Sequence, residues 1–259
     1  MSSPDFSPER LTLAQFAEKF RHEMVPVNSK FVYFSAAVHL GDDEIREYLT
    51  DPIAALPPSL TSHLPGVQVL LVPYLEKAYG KEKANGKSPA SYVSFEKPAD
   101  NRSTPCALHR VRTAEAVLAF AVKDEEIADY HYRFYHVLAE LAADVWNLDM
   151  QEQFHRVIRE ELSGGVHGEV DEESWHSKQA LLRRQTNMRR TTKAFRDYAR
   201  QSFIDTLTLY LHGICCDIDI ETGPRQLPSR YLRKRLTALQ TLFPPPEGYV
   251  LFPEELQPK

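Results

Sequence analysis

From Asp124 to Asn147 the chain carries neither glycine nor proline, and a second such run extends from Glu169 to His212. Stretches this long without a breaker are compatible with helices and with little else, so they dictate the character of the second half of the molecule. Asp124 can cap the first run, with Glu125 and Glu126 in the first turn, where the helix dipole favours acids. Ile127, Phe134, Leu138, Leu141 and Val145 recur there as one apolar stripe. Asp149 can cap a second helix that stops at Gly164 and Gly165. Asp171 can cap a third, read as running unbroken to Gly213, and a fourth fits between Ser229 and the prolines at 244–246.

The first hundred residues differ in kind. Leu13, Phe16, Ala17, Phe20 and Met24 follow a helical spacing, with Thr12 or Ser7 as cap. Residues 31–38, 67–72 and 91–96 are rich in β-branched and aromatic side chains and predict strands, and a short helix follows Asp42 over 43–49. Residues 80–89 and 98–105 are polar and turn-rich. The expectation is an α+β protein, predominantly α: a mixed short-strand and short-helix portion over 1–112, then an antiparallel helical bundle over 113–259. Nothing in the sequence prevents the two from forming one continuous domain.

Composition removes several classes. The chain has 259 residues, of which 42% are hydrophobic and 10% aromatic, which is too apolar for a disordered protein. Three cysteines cannot staple a disulfide scaffold, and no uncharged apolar run reaches the length of a membrane helix. Residues 1–10 show neither the basic nor the apolar segment of a secretory signal, so the expected location is cytoplasmic, with no membrane partner.

The net charge of −5 conceals a segregation. Residues 124–173 hold fourteen acids against three arginines, whereas residues 178–200 hold eight bases against one acid and residues 225–235 five bases against none. At 100° per residue, Arg189, Lys193, Arg196 and Arg200 share a narrow sector and form a candidate anion-binding stripe, able to track phosphates or dock an acidic partner or nucleic acid. The plainer reading is that the basic helices pack beside the acidic ones and neutralise them. No aromatic side chains interleave with the stripe as a single-strand nucleic-acid site needs.

Three further constellations can carry chemistry. Glu152 with His155 and Glu173 with His176 have the Glu-x-x-His spacing of di-iron helices, at a frequency that chance explains. Cys106, His109, His212 and Cys215 form two pairs spaced by three and together make a tetrahedral zinc set. Cys106 and His109 meet that condition only in a turn, because positions three apart on a strand face opposite ways. His131 lies near the apolar stripe of its helix, while His136, among Asp129, Arg133 and Glu140, reads as solvated. Tyr198, Asp205 and His212 stack at seven-residue intervals on the long helix. An interior pocket follows, with His131 and His212 as base or ligand, Asp205 orienting, and Tyr198 contacting a cofactor such as zinc, iron or haem. Against it stands the reading of satisfied core polar groups. Cys215 and Cys216 end a helix, where the dipole raises a thiol's pKa, and read as structural. No phosphate loop, nucleophile elbow or HExxH motif is present. The functional expectation is an α-rich protein that binds a metal, cofactor or anionic ligand between helices, with metal-dependent catalysis as one form of it. The competing reading is a non-catalytic interaction protein that docks through the basic stripe.

Overall fold

The computed structural model describes residues 11–36, 40–78, 91–111, 114–183, 190–216 and 225–252. The architecture is α+β, with helix the larger share. Contacts divide the chain into two units, one comprising residues 1–46 and 65–130, the other 47–64 and 131–259.

In the first unit, helix α1 (Leu13–Lys19) starts under a reciprocal cap: the Thr12 hydroxyl accepts the Gln15 N–H at 3.3 Å, and the Gln15 side chain accepts the Thr12 N–H at 3.0 Å. Its buried face, Leu13, Phe16 and Ala17, lies in the same core as Phe34, Leu70, Val72, Val117 and Ala119. Strands β1 (Val25–Pro26), β2 (Phe31–Ser35), β3 (Gly66–Val72), β7 (Cys106–Arg110) and β8 (Glu115–Ala121) form a five-stranded sheet in the order β1-β2-β3-β8-β7. The inner three, β2, β3 and β8, run parallel, and the outer pairs are antiparallel. Every residue of β3 after Gly66 is buried, as a parallel strand covered on both faces requires, and its near-continuous apolar run (GVQVLLV) follows from that. A second, antiparallel sheet has the order β5-β4-β6, from β4 (Tyr74–Lys77), β5 (Ser91–Ser94) and β6 (Ser103–Thr104).

In the second unit, α3 (Asp51–Ala54) and α4 (Pro58–His63) accompany most of α5 (Ile127–Val145), then α6 (Leu148–Ser163), α7 (Glu172–Leu182), α8 (Lys193–Cys215) and α9 (Ser229–Leu242). The short α2 (Asp42–Ile45) belongs to the first unit. Helix α8 packs against α7, α6 and α9, and α9 also lies on α6. An aromatic cluster fills the middle: Phe203 sits 4.3 Å from Trp146 and 5.4 Å from Phe154, centroid to centroid.

Several expected boundaries move. Asp124 is no cap: it adopts a positive φ of 64° in a turn, its carboxylate taking the Tyr74 hydroxyl and the Lys97 ammonium, and the helix begins at Ile127. Helix α6 is capped by Asn147, whose side chain accepts the Met150 N–H at 2.9 Å, instead of by Asp149. Among the described residues the expected single helix to Gly213 is divided in two. Helix α7 stops at Leu182, and α8 starts at Lys193 because the Thr192 hydroxyl accepts the Phe195 N–H at 3.2 Å. Gly213 then lies inside α8, which ends at Cys215. The turn-rich segment 80–89, Ser7 and Arg189 fall outside the described residues.

Candidate functional site

Helix α6 is amphipathic. Phe154, Val157, Ile158, Glu161 and Leu162 are buried, and the opposite face, Leu148, Gln151, Glu152, His155, Arg156, Arg159, Glu160 and Ser163, lines one wall of a groove of about 860 Å³. Thr191 and Arg196, at the start of α8, close the other side.

Two of the groove's arginines are held by groups other than acids. Arg159 donates to the Thr191 hydroxyl at 2.7 Å and lays its guanidinium 4.0 Å from the centre of the Phe195 ring. Arg196 donates to the Thr191 carbonyl at 3.3 Å. Among the described residues, Arg156, Arg159 and Arg196 form no ion pair with a carboxylate. Of the two acids in the lining, Glu160 is already paired with Lys234. His155 sits edge-on to Phe195 at 5.2 Å and to Trp146 at 5.7 Å. Burial, reinforced by the Arg159 charge, pushes its pKa below the usual histidine value, so the ring is neutral at physiological pH. The N-terminal end of the 23-residue α8 adds its positive dipole to the same place.

Elsewhere the charges cancel. Arg200 pairs with Asp144 at 2.7 Å and Lys193 with Asp197 at 3.0 Å. Of the predicted stripe's described residues, Arg196 lines the groove and Lys193 and Arg200 are neutralised; Arg189 lies outside the described residues. The plainer expectation, basic helix against acidic helix, describes Arg200 with Asp144 and Lys234 with Glu160.

The unit's interior holds a second charged assembly. The Arg235 guanidinium is fully buried and donates to both oxygens of Glu161 (3.1 and 3.0 Å from Nε, 2.6 Å from Nη2), to both oxygens of Glu169 (2.7 and 3.0 Å) and to Ser202 Oγ at 2.7 Å. Lys178 lies 3.1 Å from Glu169 and donates to the Gly168 carbonyl at 2.8 Å. Two buried acids therefore meet two buried bases, and the set is neutral. Burial alone would raise the Glu169 pKa, but Arg235 and Lys178 outweigh it and hold the carboxyl at about 2. Tyr198, expected to touch a cofactor, instead donates its hydroxyl to Glu169.

The expected pocket of His131, Asp205 and His212 does not assemble as one site. Seven residues along α8 keep Asp205 and His212 on one stripe but separate them by roughly 10 Å of rise. Asp205 faces α7, accepting the Ser174 N–H at 3.1 Å and the Gln201 amide at 2.8 Å. It thereby satisfies one of the unpaired N–H groups in the first turn of α7. His212 lies 6.0 Å from the Tyr135 ring and 6.2 Å from Tyr132, and burial followed by the His131 charge lowers its pKa. His136, expected to be solvated, is half-buried, with Glu140 at 3.7 Å and the buried Thr208 hydroxyl at 3.5 Å.

The zinc set fares similarly. Cys106 and His109 occupy β7, a strand and not a turn, so their side chains leave opposite faces and cannot chelate one ion. Among the described residues no three His, Cys, Asp or Glu side chains group as a metal site would need. The first unit has a smaller cavity of about 320 Å³ beside Gln68, whose buried Oε1 lacks a hydrogen-bond partner among the described residues. Its Arg21, however, is paired with Glu18 and Glu115.

Asp205 carries a pH signature. Burial, together with the nearby Asp171 charge, raises its pKa from 3.8 to about 6 against the opposing hydrogen bonds of Ser174 and Gln201. The folded state then binds the proton more tightly than the unfolded chain, so this residue's contribution to stability falls as pH rises from about 4 to about 6. At about 1.4 kcal/mol per unit the span is about 3 kcal/mol. Asp205→Asn keeps an acceptor for Ser174 and is expected to flatten the unfolding free energy over that range in urea titrations. An unchanged slope assigns the dependence to another group.

The fold and groove thus define a two-unit α+β protein with an arginine-lined cleft in its helical unit. No family model, curated protein or solved structure matches the chain. Among the described residues no helix is long and apolar enough to cross a membrane.

Proposed function

We propose that the helical unit binds a small anionic ligand, bearing phosphate or carboxylate groups, in the groove between α6 and the start of α8. The observation that carries this reading is the convergence of Arg156, Arg159 and Arg196 on one concavity with no carboxylate partner among the described residues, where Arg200, Arg235 and Lys234 each have one. Guanidinium groups bind planar oxyanions in a bidentate manner, and Arg159 is already oriented by Thr191 and Phe195, which lowers the entropy lost on binding. Neutral His155 supplies a hydrogen bond or a proton-transfer group beside the anion. The protein works in this reading as a cytoplasmic ligand-binding protein, a location that its three free cysteines suit.

Calorimetric titration with inorganic phosphate, ATP and citrate tests it. Binding of at least one is expected, weakened about tenfold or more by Arg159→Gln and by the pair Arg156→Gln with Arg196→Gln, charge-assisted hydrogen bonds being worth about 1.5–3 kcal/mol each. Affinities unchanged in both variants would sink the groove as the site. Tighter binding of a DNA duplex than of any small anion, with a steep salt dependence, would instead favour docking to nucleic acid.

A further inference from the structure

The cavity of about 320 Å³ in the first unit is built at the N-terminal ends of the parallel strands. The register sets Gly66, the first residue of β3, beside Glu115, the first of β8. On the other side Phe31 pairs with Val67, and the Lys30 carbonyl accepts the Val67 N–H at 2.8 Å, so Lys30 comes level with Gly66. Residues two apart on a strand leave the same face. Gly66, Gln68 and Glu115 therefore share the face that, further along, buries Leu70 and Ala119 in one core with α1. Gly66 has no side chain to fill the space between Lys30 and Glu115, whose backbones stand roughly 10 Å apart at two strand spacings. The cavity occupies that gap, with Lys30, Gln68, Glu115, Arg21 and Met24 in its wall.

Two features of this wall point to a ligand. Gln68 is 5% exposed, and its Oε1 has no hydrogen-bond partner among the described residues. A buried acceptor without a donor destabilises the fold where an apolar side chain would not, so a glutamine within the run GVQVLLV calls for a donor from outside. The second feature is charge of both signs. Arg21 donates to Glu18 at 3.0 Å and to Glu115 at 3.4 Å, which leaves the Glu115 carboxylate with lone pairs to spare. A purely anionic ligand would meet Glu115, and a purely cationic one would meet Lys30 and Arg21. A molecule with both charges avoids either conflict.

We propose that this cavity binds a small zwitterion of the α-amino-acid class. Its ammonium group lies over Gly66 and donates to Glu115 and to Gln68 Oε1. The terminal torsion of a glutamine amide is broad, so the oxygen turns to the donor without strain. The carboxylate of the ligand accepts from Lys30, and its side chain lies against Met24. The volume is at the small end of ligand pockets, which run from about 300 to about 1,000 Å³, and suits one amino acid and not a peptide.

Calorimetric titration of the full-length protein with L-alanine, L-leucine and L-glutamine provides the test, with propylamine and propionate as controls that each carry one charge. Saturable binding of at least one amino acid at millimolar concentration is expected, with both controls weaker by about tenfold or more, since each lacks one charge-assisted contact. Gln68→Leu is expected to weaken binding by about tenfold and to raise the unfolding midpoint, because the unpaired acceptor is gone. Gly66→Val is expected to abolish binding by filling the gap. A Cβ there meets nothing closer than the Ala114 carbonyl oxygen at 3.6 Å, and a strand accepts a β-branched residue, so the fold tolerates it. Absence of binding by all three amino acids overturns the proposal and leaves an ordered water as the partner of Gln68. So does binding that is unchanged in both variants, or a one-charge control that binds as tightly as the amino acids. None of these outcomes bears on anion binding at the groove, which belongs to the other unit.

Discussion

Arg235→Leu is expected to lose about 3–5 kcal/mol of folding free energy, the cost of leaving a buried ion without its partner. A domain's whole stability is about 5–15 kcal/mol, so the variant sits near the edge of unfolding at room temperature. The reason lies in the two acids left behind. Glu161 and Glu169 are each 1% exposed, and Arg235 contacts both oxygens of each. Without it, Lys178 and Tyr198 still serve Glu169, but among the described residues Glu161 keeps no ion pair. Packing loss and charge loss are separable. Adding Glu161→Gln and Glu169→Gln to Arg235→Leu removes the stranded charges and is expected to recover more than half of the deficit in urea unfolding at neutral pH. If the triple variant is no better than the single one, the network stabilises through shape and not through charge balance. The wild-type network also has a pH window. With the Glu169 carboxyl held at about 2 against an ordinary 4.5, its contribution is present above about 4.5 and disappears as pH falls toward 2.

Gly168→Ala is expected to cost about 3 kcal/mol or more, an unusually large effect for adding one methyl group. Gly168 has a φ of +87°, which disfavours any side chain, and a Cβ there would stand 2.2 Å from the Gln226 carbonyl oxygen. Backbone is what it would strike, so no rotamer change relieves the clash. The consequences reach the ion network. Gly168 offers its carbonyl to Lys178, and the next residue, Glu169, bridges to the 225–227 segment through Glu169 N–H to the Arg225 carbonyl and Leu227 N–H to the Glu169 carbonyl, both at 2.9 Å. Displacing this loop pulls Glu169 from Arg235. Amide hydrogen exchange at Leu227 and Glu169 reads the damage directly. Protection equal to wild type, with unchanged stability, would show that the loop accommodates the methyl group.

Much of the fold is legible from local chemistry. The Thr12-Gln15 box, the apolar period of α1 and α6, the Asp171 cap and the α9 span from Ser229 to the prolines are all written in short stretches, because caps and helix faces depend on residues three or four apart. The Thr192 cap that divides the long run is equally local, but a breaker-free stretch masked it. Strand β8 was not legible. Its sequence, EAVLAFA, contains three alanines and no alternation, which local preference assigns to helix as readily as to strand. Pairing with β3 on one side and β7 on the other decides the matter.

The candidate sites show the same division. Acidic and basic helices were visible as runs of charge, and so was the attraction between them. Which arginines would be cancelled was not, since Arg200 meets Asp144 across 56 positions of sequence and Arg235 meets Glu161 across 74. The groove exists because Arg156 and Arg159 on α6 lie beside Arg196 at the start of α8, and no spacing rule within either helix reports on the other. Sequence alone determined the helical character of the second half, its segregated charge and the absence of a named motif, because these follow from interactions within a few residues. Tertiary structure decided which charges remain available, because electrostatic environment is a property of what is near in space.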